Sequence, residues 1–286
     1  MFGTEFVSIQ TPPGDSITNY DRSLHYDEQP SSVPAIFTEA MSVREEVFVK
    51  EQGVPLENEL DQDDARSYHW VVYASVGTTH SSTSTSGSPE AQHRKSAGHS
   101  RQSSNDERRR SSGSTASRVP VGTIRLVPPP HKHSASQKSA SGLYDGPQWE
   151  PKEPYIKLGR LATLSPYRGL GLSKLLVNSA VDWARSHVDE IVTPLSPAEI
   201  EAARLEGKKE QEPWEGRVIV HAQTPVQGLW ARFGFVLVSE MGTWWEEGLE
   251  HVGMQLHVPI PTLKPTLSSG IVPFATPAHG VPDSAY

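Results

Sequence analysis

The sequence predicts a layered α/β (α+β) domain, a mixed sheet flanked by helices. Two patterns carry that expectation. Short runs rich in Val, Ile, Leu and Tyr read as strands, and other segments repeat apolar residues every three or four positions. A third observation is the strand-like run Tyr155–Thr163, which meets a small turn and then opens a helix.

Taken in order, Glu5–Gln10 reads as the first strand. A helix is expected over Val33–Lys50, loosely bracketed by Pro34 and Pro55. Tyr68–Ala74 and Val121–Val127 are apolar and read as strands, as does Tyr155–Thr163. In the next helix, Leu172, Leu175, Leu176, Ser179, Ala180 and Trp183 fall on one face, with Lys174 and Arg185 outside it. Then come strand Arg217–Ala222, helix Pro225–Phe233, strand Phe235–Glu240 and strand His251–His257.

One domain is expected over residues 1–258, interrupted by low-complexity insertions at 76–118, 128–154 and 193–216 and followed by a Pro-rich tail, 259–286. The first insertion is mostly Ser, Thr, Gly, His and Arg, and cannot bury enough surface to offset its ordering entropy. It is predicted to be disordered, an enlarged hairpin loop between two strands. Within it, Arg108–Ser112 resembles a basophilic kinase site; contact with RNA or an acidic partner, and a plain solvated linker, are the other readings. In the third insertion, Pro197–Lys209 reads as a short polar helix.

Bulk properties fit a soluble enzyme. The chain has 286 residues and a net charge of −8, so broad nucleic-acid affinity is not expected. It contains no cysteine, which excludes disulfides, thiolate metal sites and a cysteinyl acyl-enzyme. No metal site is expected. No apolar run is long enough to span a bilayer, and Met1–Thr11 lacks a signal-peptide pattern. The cytoplasm is the expected compartment, with the nucleus as the alternative.

The turn after Thr163 is the chemical centre of the sequence. Arg168, Gly169, Leu170, Gly171, Leu172 and Ser173 follow Ser165-Pro166-Tyr167 and start the helix. The first helical N–H groups lack intrahelical partners, and the helix dipole adds positive charge, so such a corner suits phosphates. A helix that merely starts after a turn is the alternative.

This pattern resembles the acyl-CoA signature of the GNAT N-acetyltransferase superfamily: Gln or Arg, two residues, Gly, one residue, Gly or Ala. Arg168, Gly171 and Ser173 take its defining places, with Ser as a small departure. Three more segments resemble the family in its usual order: Val43–Pro55, His221–Phe235 and Glu246–Met254. The set is most similar to the ElaA branch and runs from Phe37 to about Val258. The resemblance implies a mostly antiparallel central sheet whose central strands splay apart, with the acyl-CoA in the cleft. It implies that Arg168–Ser173 hold the pyrophosphate. N–H groups near Leu161, Ala162 and Thr163 would serve the oxyanion and the pantetheine.

For the proton acceptor, Glu51 is the first choice and His69 the second. Glu51 and Gln52 match the family's Glu-Gln pair. The acidic run Glu51, Glu57, Glu59, Asp61, Asp63 and Asp64 would form a rim attracting a cationic amine, or be only a solvated face. Where relatives place a tyrosine as general acid, this chain has Trp230, whose indole cannot act as an acid at neutral pH. A thiol of pKa about 8.5 leaves as thiolate for roughly 2 kcal/mol, so a strong acid is dispensable. Otherwise Tyr167 or Tyr155 substitutes, and Trp230 walls the pantetheine channel. Gln223 and His251 align with recurrent ElaA-branch positions and would face the acceptor, together with Glu51 and Gln52. Trp244 and Trp245 with Glu246 would border that pocket, or simply pack.

The expected function is acetyl-CoA-dependent transfer of an acetyl group directly to a primary amine of a small molecule, such as an amino sugar, polyamine or arylamine. The alternatives are a protein lysine or N-terminal acetyltransferase, a non-catalytic acyl-CoA-binding module, and acyl-homoserine-lactone synthase-like chemistry. The sequence leaves the oligomeric state open, monomer or homodimer.

Overall fold

Eight strands form a single sheet in the order β1-β2-β3-β4-β5-β8-β6, with β7 also paired to β8. The structure, a computed structural model, describes residues 6–77, 116–131, 146–147, 149–192, 205 and 212–261. The strands are β1 (Val7–Gln10), β2 (Tyr68–Gly77), β3 (Ala116–Val127), β4 (Ile156–Thr163), β5 (Arg217–Gln223), β6 (Val236–Leu237), β7 (Thr243–Glu246) and β8 (Leu249–His257). Every pairing is antiparallel except β4 with β5. A mixed, mostly antiparallel sheet flanked by helices is therefore the observed architecture.

Alternation along β2 explains the layers. Tyr68, Trp70 and Val72 pack on one face with Leu176, Val177, Ala180 and Ala184 of the helix Leu172–Ser186. Val71 and Tyr73 face the other way, toward Ala40 of the helix α1 (Ala35–Arg44). Among the described residues, short helices α2 (Leu56–Glu59), α4 (Val188–Ile191) and α5 (Gln227–Arg232) accompany α3, the Leu172–Ser186 helix.

Several boundaries differ from expectation for identifiable reasons. The helix expected over Val33–Lys50 is α-helical only from Ala35, with Pro34 at its N-cap; past Arg44 it widens into a π-helical turn, Glu45–Glu51. β2 and β3 continue as a ladder to Gly77↔Ala116, so the first insertion does close a hairpin, as expected; its interior lies outside the described residues. Pro120 sits beyond the last β3–β4 rung, Gly122↔Thr163, where its missing N–H removes no bond to β4. The kinase-like motif lies outside the described residues, as does the expected polar helix Pro197–Lys209 apart from Leu205, which is helical and exposed.

The strand expected over Phe235–Glu240 is cut to Val236–Leu237. A 3-10 turn, Ser239–Met241, takes over and lays Met241 on Gly253. A Cβ on Gly253 would stand 2.1 Å from the Met241 sulfur, itself fully buried. We expect Gly253→Ala to lower stability by about 1–3 kcal/mol, read as a drop in the urea midpoint; an unchanged midpoint would show that Met241 repacks freely. The hairpin β7–β8, by contrast, includes a strand the sequence reading left out.

Candidate functional site

The site begins where the sheet divides. β4 and β5 share only three rungs, Ile156↔Val218 to Leu158↔Val220. Beyond them β4 pairs with β3 alone, and His221–Gln223 pair with β8. A bulge drives the parting. Thr123 opposes Ala162 and Arg125 opposes Gly159, so Ile124 faces both Arg160 and Leu161. Arg160 takes a left-handed φ of 51°, and the extra residue bends the strand. The gap opens into a cavity of about 1890 Å³. Leu161, Ala162, Thr163, Tyr167, Arg168, Gly169, Gly171, Leu172, Ser173 and Trp230 line it, as do Glu51, Gln52, Gln223 and His251. Leu170 does not; its side chain is turned out to solvent.

At the foot of α3, Gly169 and Gly171 have φ of 81° and 79°, and nothing lies within 4 Å of where their Cβ atoms would stand. The first helical bond runs from the Leu175 amide to the Gly171 carbonyl. The amides of Leu172, Ser173 and Lys174 therefore have no helical acceptor and border the cavity. Arg168 donates through Nε to the Thr163 carbonyl at 2.9 Å and through Nη2 to Glu51. Gln52, the next residue, exchanges two amide bonds with Gln223 at 3.3 and 3.0 Å. Consecutive residues of one turn are thus tied to the α3 loop and to β5.

Glu51, Glu59, Asp61 and Asp63 of the acidic run border the cavity, and a charge network engages several of them. Arg44, fully buried, donates to Glu59 at 2.6 Å and to Asp64 at 2.7 Å. Arg125 donates to Asp61 at 2.7 Å and to Asp64 at 2.8 Å. Arg160 faces Glu59 and Asp61, each at 3.2 Å. Asp63 pairs with Arg66. Glu59, Asp61 and Asp64 are matched by arginines from other segments, because a buried carboxylate needs a matched cation. Burial pushes Asp61 up, but Arg125 outweighs it and holds the carboxyl at about 2. Asp64 is likewise held well below the ordinary range, chiefly by Arg44 and Arg125 against its burial.

The structure does not bring His69 to the cleft. It shares the β2 face of Val71 and Tyr73, and lies fully buried edge-on to Phe37 of α1. Its Nε2–H donates to the Asp64 carbonyl at 3.1 Å, and burial pushes the imidazole down to about 4. An imidazole depressed from about 6.5 takes up protons more readily in the unfolded chain. Its neutral, buried form is therefore most compatible with folding above pH ~6.5, and stability declines from there toward pH ~4. We expect His69→Gln to reduce the slope of stability against pH in that window, followed by circular dichroism melts; an unaltered slope would contradict it.

The aromatic expectations divide. Trp230 is buried, and packs edge-on to Phe233 and Phe235 while bordering the cavity. Trp244 is buried with Tyr155, Ile219, Val238 and Met241, and Trp245 is exposed; neither borders the cavity. Tyr155 is bonded to Glu150, and burial together with that carboxylate raises its phenol. Glu246, expected beside the two tryptophans at the pocket, does border the cavity, and it meets at 3.3 Å a residue to which sequence reasoning gave no role, His221, which also borders it. Burial pushes Glu246 up, but His221, His251 and the Trp244 N–H hold its carboxyl well below the ordinary range. Their pairing depends on β5, β8 and β7 lying side by side, which single-segment patterns do not display.

Among the described residues, no helix is long and apolar enough to cross a membrane. Comparisons with known proteins bear on the same region. A model of the Acetyltransferase (GNAT) family matches residues 85–204, a span containing β4, the Arg168–Ser173 turn and α3. Over 35 residues the chain is 60% identical to the uncharacterized N-acetyltransferase YjcF of Bacillus subtilis, covering 12% of this chain and 25% of that protein. The matched stretch is thus about a quarter of that relative's length. An acyl-CoA N-acyltransferase structure from Pseudomonas aeruginosa is similar at 17% identity and a TM-score of 0.40, covering 87% of this chain and 97% of that one. Escherichia coli ElaA is similar at 17% identity and a TM-score of 0.40, covering 87% and 98%. The family match thus falls on the strand, turn and helix start that border the cavity.

Proposed function

We propose that the protein is an acetyl-CoA-dependent N-acetyltransferase that passes the acetyl group directly to a primary amine of a small molecule. The observation that carries this reading is one continuous cavity joining the α3 turn to the β4–β5 split. It exceeds the few hundred to a thousand Å³ of ordinary ligand pockets, and leaves room for a long cosubstrate and a small acceptor together. The turn fits a diphosphate: its two glycines present bare backbone, and three helix-start amides are open.

In this reading Gly169, Leu170, Gly171, Leu172 and Ser173 hold the diphosphate through main-chain N–H groups. Arg168 adds its guanidinium. Leu161, Ala162 and Thr163 offer the strand edge freed from β5, and Trp230 walls the channel. Bound acetyl-CoA supplies the activated acyl carbon. Glu51, Gln52, Gln223 and His251 border the acceptor side, and Tyr167 is the cavity-lining phenol nearest in sequence to the turn. The chain has no cysteine, so no cysteinyl acyl-enzyme forms.

The test is incubation with acetyl-CoA and a panel of amino sugars, polyamines, arylamines and lysine peptides, following released thiol. Release with small amines supports the proposal. Release with peptides alone moves the substrate class to proteins. Tight cofactor binding with no release across the panel points to a non-catalytic module, for which Trp230 in the tyrosine position is the motivating feature.

A further inference from the structure

We propose that His221 is the proton acceptor of the transfer reaction and Glu246 its positioning residue, a step that rests on the acetyltransferase reading above. His221 is the first residue of β5 past the last rung shared with β4, Leu158↔Val220. It therefore stands at the fork of the sheet and borders the cavity. Its Nδ1 faces Glu246 Oε1 at 3.3 Å, and the same oxygen accepts the Trp244 indole N–H at 2.6 Å. A carboxylate fixed in this way only accepts, so the imidazole proton belongs on Nδ1 and Nε2 keeps its lone pair.

Nε2 is shielded from solvent and has no hydrogen-bond partner among the described residues. Glu150 Oε1 lies 3.9 Å away. A buried polar atom left unpaired is costly, and a catalytic role is one of the few explanations for retaining one. Here a proton on Nε2 would be bracketed by two carboxylates, Glu246 from β7 and Glu150 from the segment before β4. His251 approaches from β8, stacked on Trp244, but its Nδ1 is committed to the Leu249 carbonyl. Arrangement of a base by an orienting carboxylate at the reacting space is the geometry general-base catalysis requires.

The step balances as follows. One proton passes from the acceptor ammonium to His221 Nε2 and later to solvent. The freed nitrogen pair forms the N–C bond while the C–S bond breaks. A second nitrogen proton goes to the departing sulfur.

Imidazole ¹⁵N spectra of the cofactor-free protein test the arrangement without turnover. Nδ1 should be protonated and Nε2 bare in the wild type, with that preference lost in Glu246→Gln. By calorimetry, His221→Gln should leave acetyl-CoA affinity unchanged. In turnover it should lower kcat by about 10²–10⁴-fold and remove the acidic limb of the pH profile. A protonated Nε2 at neutral pH in the free protein, or a His221→Gln enzyme with wild-type kcat and pH profile, overturns the proposal. A wild-type protein that binds acetyl-CoA but acetylates nothing overturns both this step and the acetyltransferase reading, and is distinguished by its silence before any substitution.

Discussion

Gly171→Val is expected to weaken coenzyme A binding by about 100-fold or more while leaving a folded protein, because two or more charge-assisted hydrogen bonds of about 1.5–3 kcal/mol are at stake. Gly171 caps α3 with φ of 79° and ψ of 7°, a left-handed conformation. A valine there costs about 1–2 kcal/mol, a tolerable fraction of the roughly 5–15 kcal/mol that holds a typical domain. Apart from its chain neighbours and the helix's own backbone, no described atom lies within 4 Å of the new Cβ, so the side chain starts out in open space. Its methyls occupy the space in front of the helix-start amides, where the diphosphate is proposed to sit. Calorimetry reads the affinity and circular dichroism the fold. Wild-type affinity in a folded variant would show that the cofactor binds elsewhere.

Arg44→Ala carries the second large effect, on stability. Its guanidinium is fully buried and bonds two carboxylates, Glu59 and Asp64, and the Glu59 carbonyl. Removing it strands buried charge, a loss of about 3–5 kcal/mol at neutral pH. At roughly 2–4 °C per kcal/mol the melting temperature should fall by about 10 °C. The pH dependence follows from the depressed carboxyls. Asp61 and Asp64 titrate lower in the folded protein than the ~3.9 of an unfolded aspartate, so their contribution is present above pH ~4. It disappears as the pH falls through about 2, where Asp61 protonates. The gap between variant and wild type should therefore be widest near neutrality and narrow in acid. A loss of under ~1 kcal/mol, as for a surface pair, would sink this account.

Much of the frame was legible because its signals are local. Leu176 and Ala180 on one stripe, the turn after Thr163, and the apolar runs of β2, β3 and β5 each announce themselves within about ten residues. Sidedness was less legible. His69 in an apolar strand looked available, but period-two alternation assigns it to the layer under α1. The run Glu57–Asp64 showed its acids but not their partners, because Arg44, Arg125 and Arg160 come from three other segments. His221 and Glu246 were both in view, yet only the neighbourhood of β5, β8 and β7 makes them partners. β6 ended early because Met241 found room over Gly253, a contact between residues 12 positions apart.

Glu51 and Gln52 reach Arg168 and Gln223 from adjacent positions of a single π-helical turn. Under the proposed function, a diphosphate that draws Arg168 from Glu51 would release the residue next to the one that steadies Gln223, and the two ends of the cleft would be coupled. By reciprocity, whatever factor the proposed cosubstrate imposed on the affinity of an acceptor, the acceptor would impose on the cosubstrate.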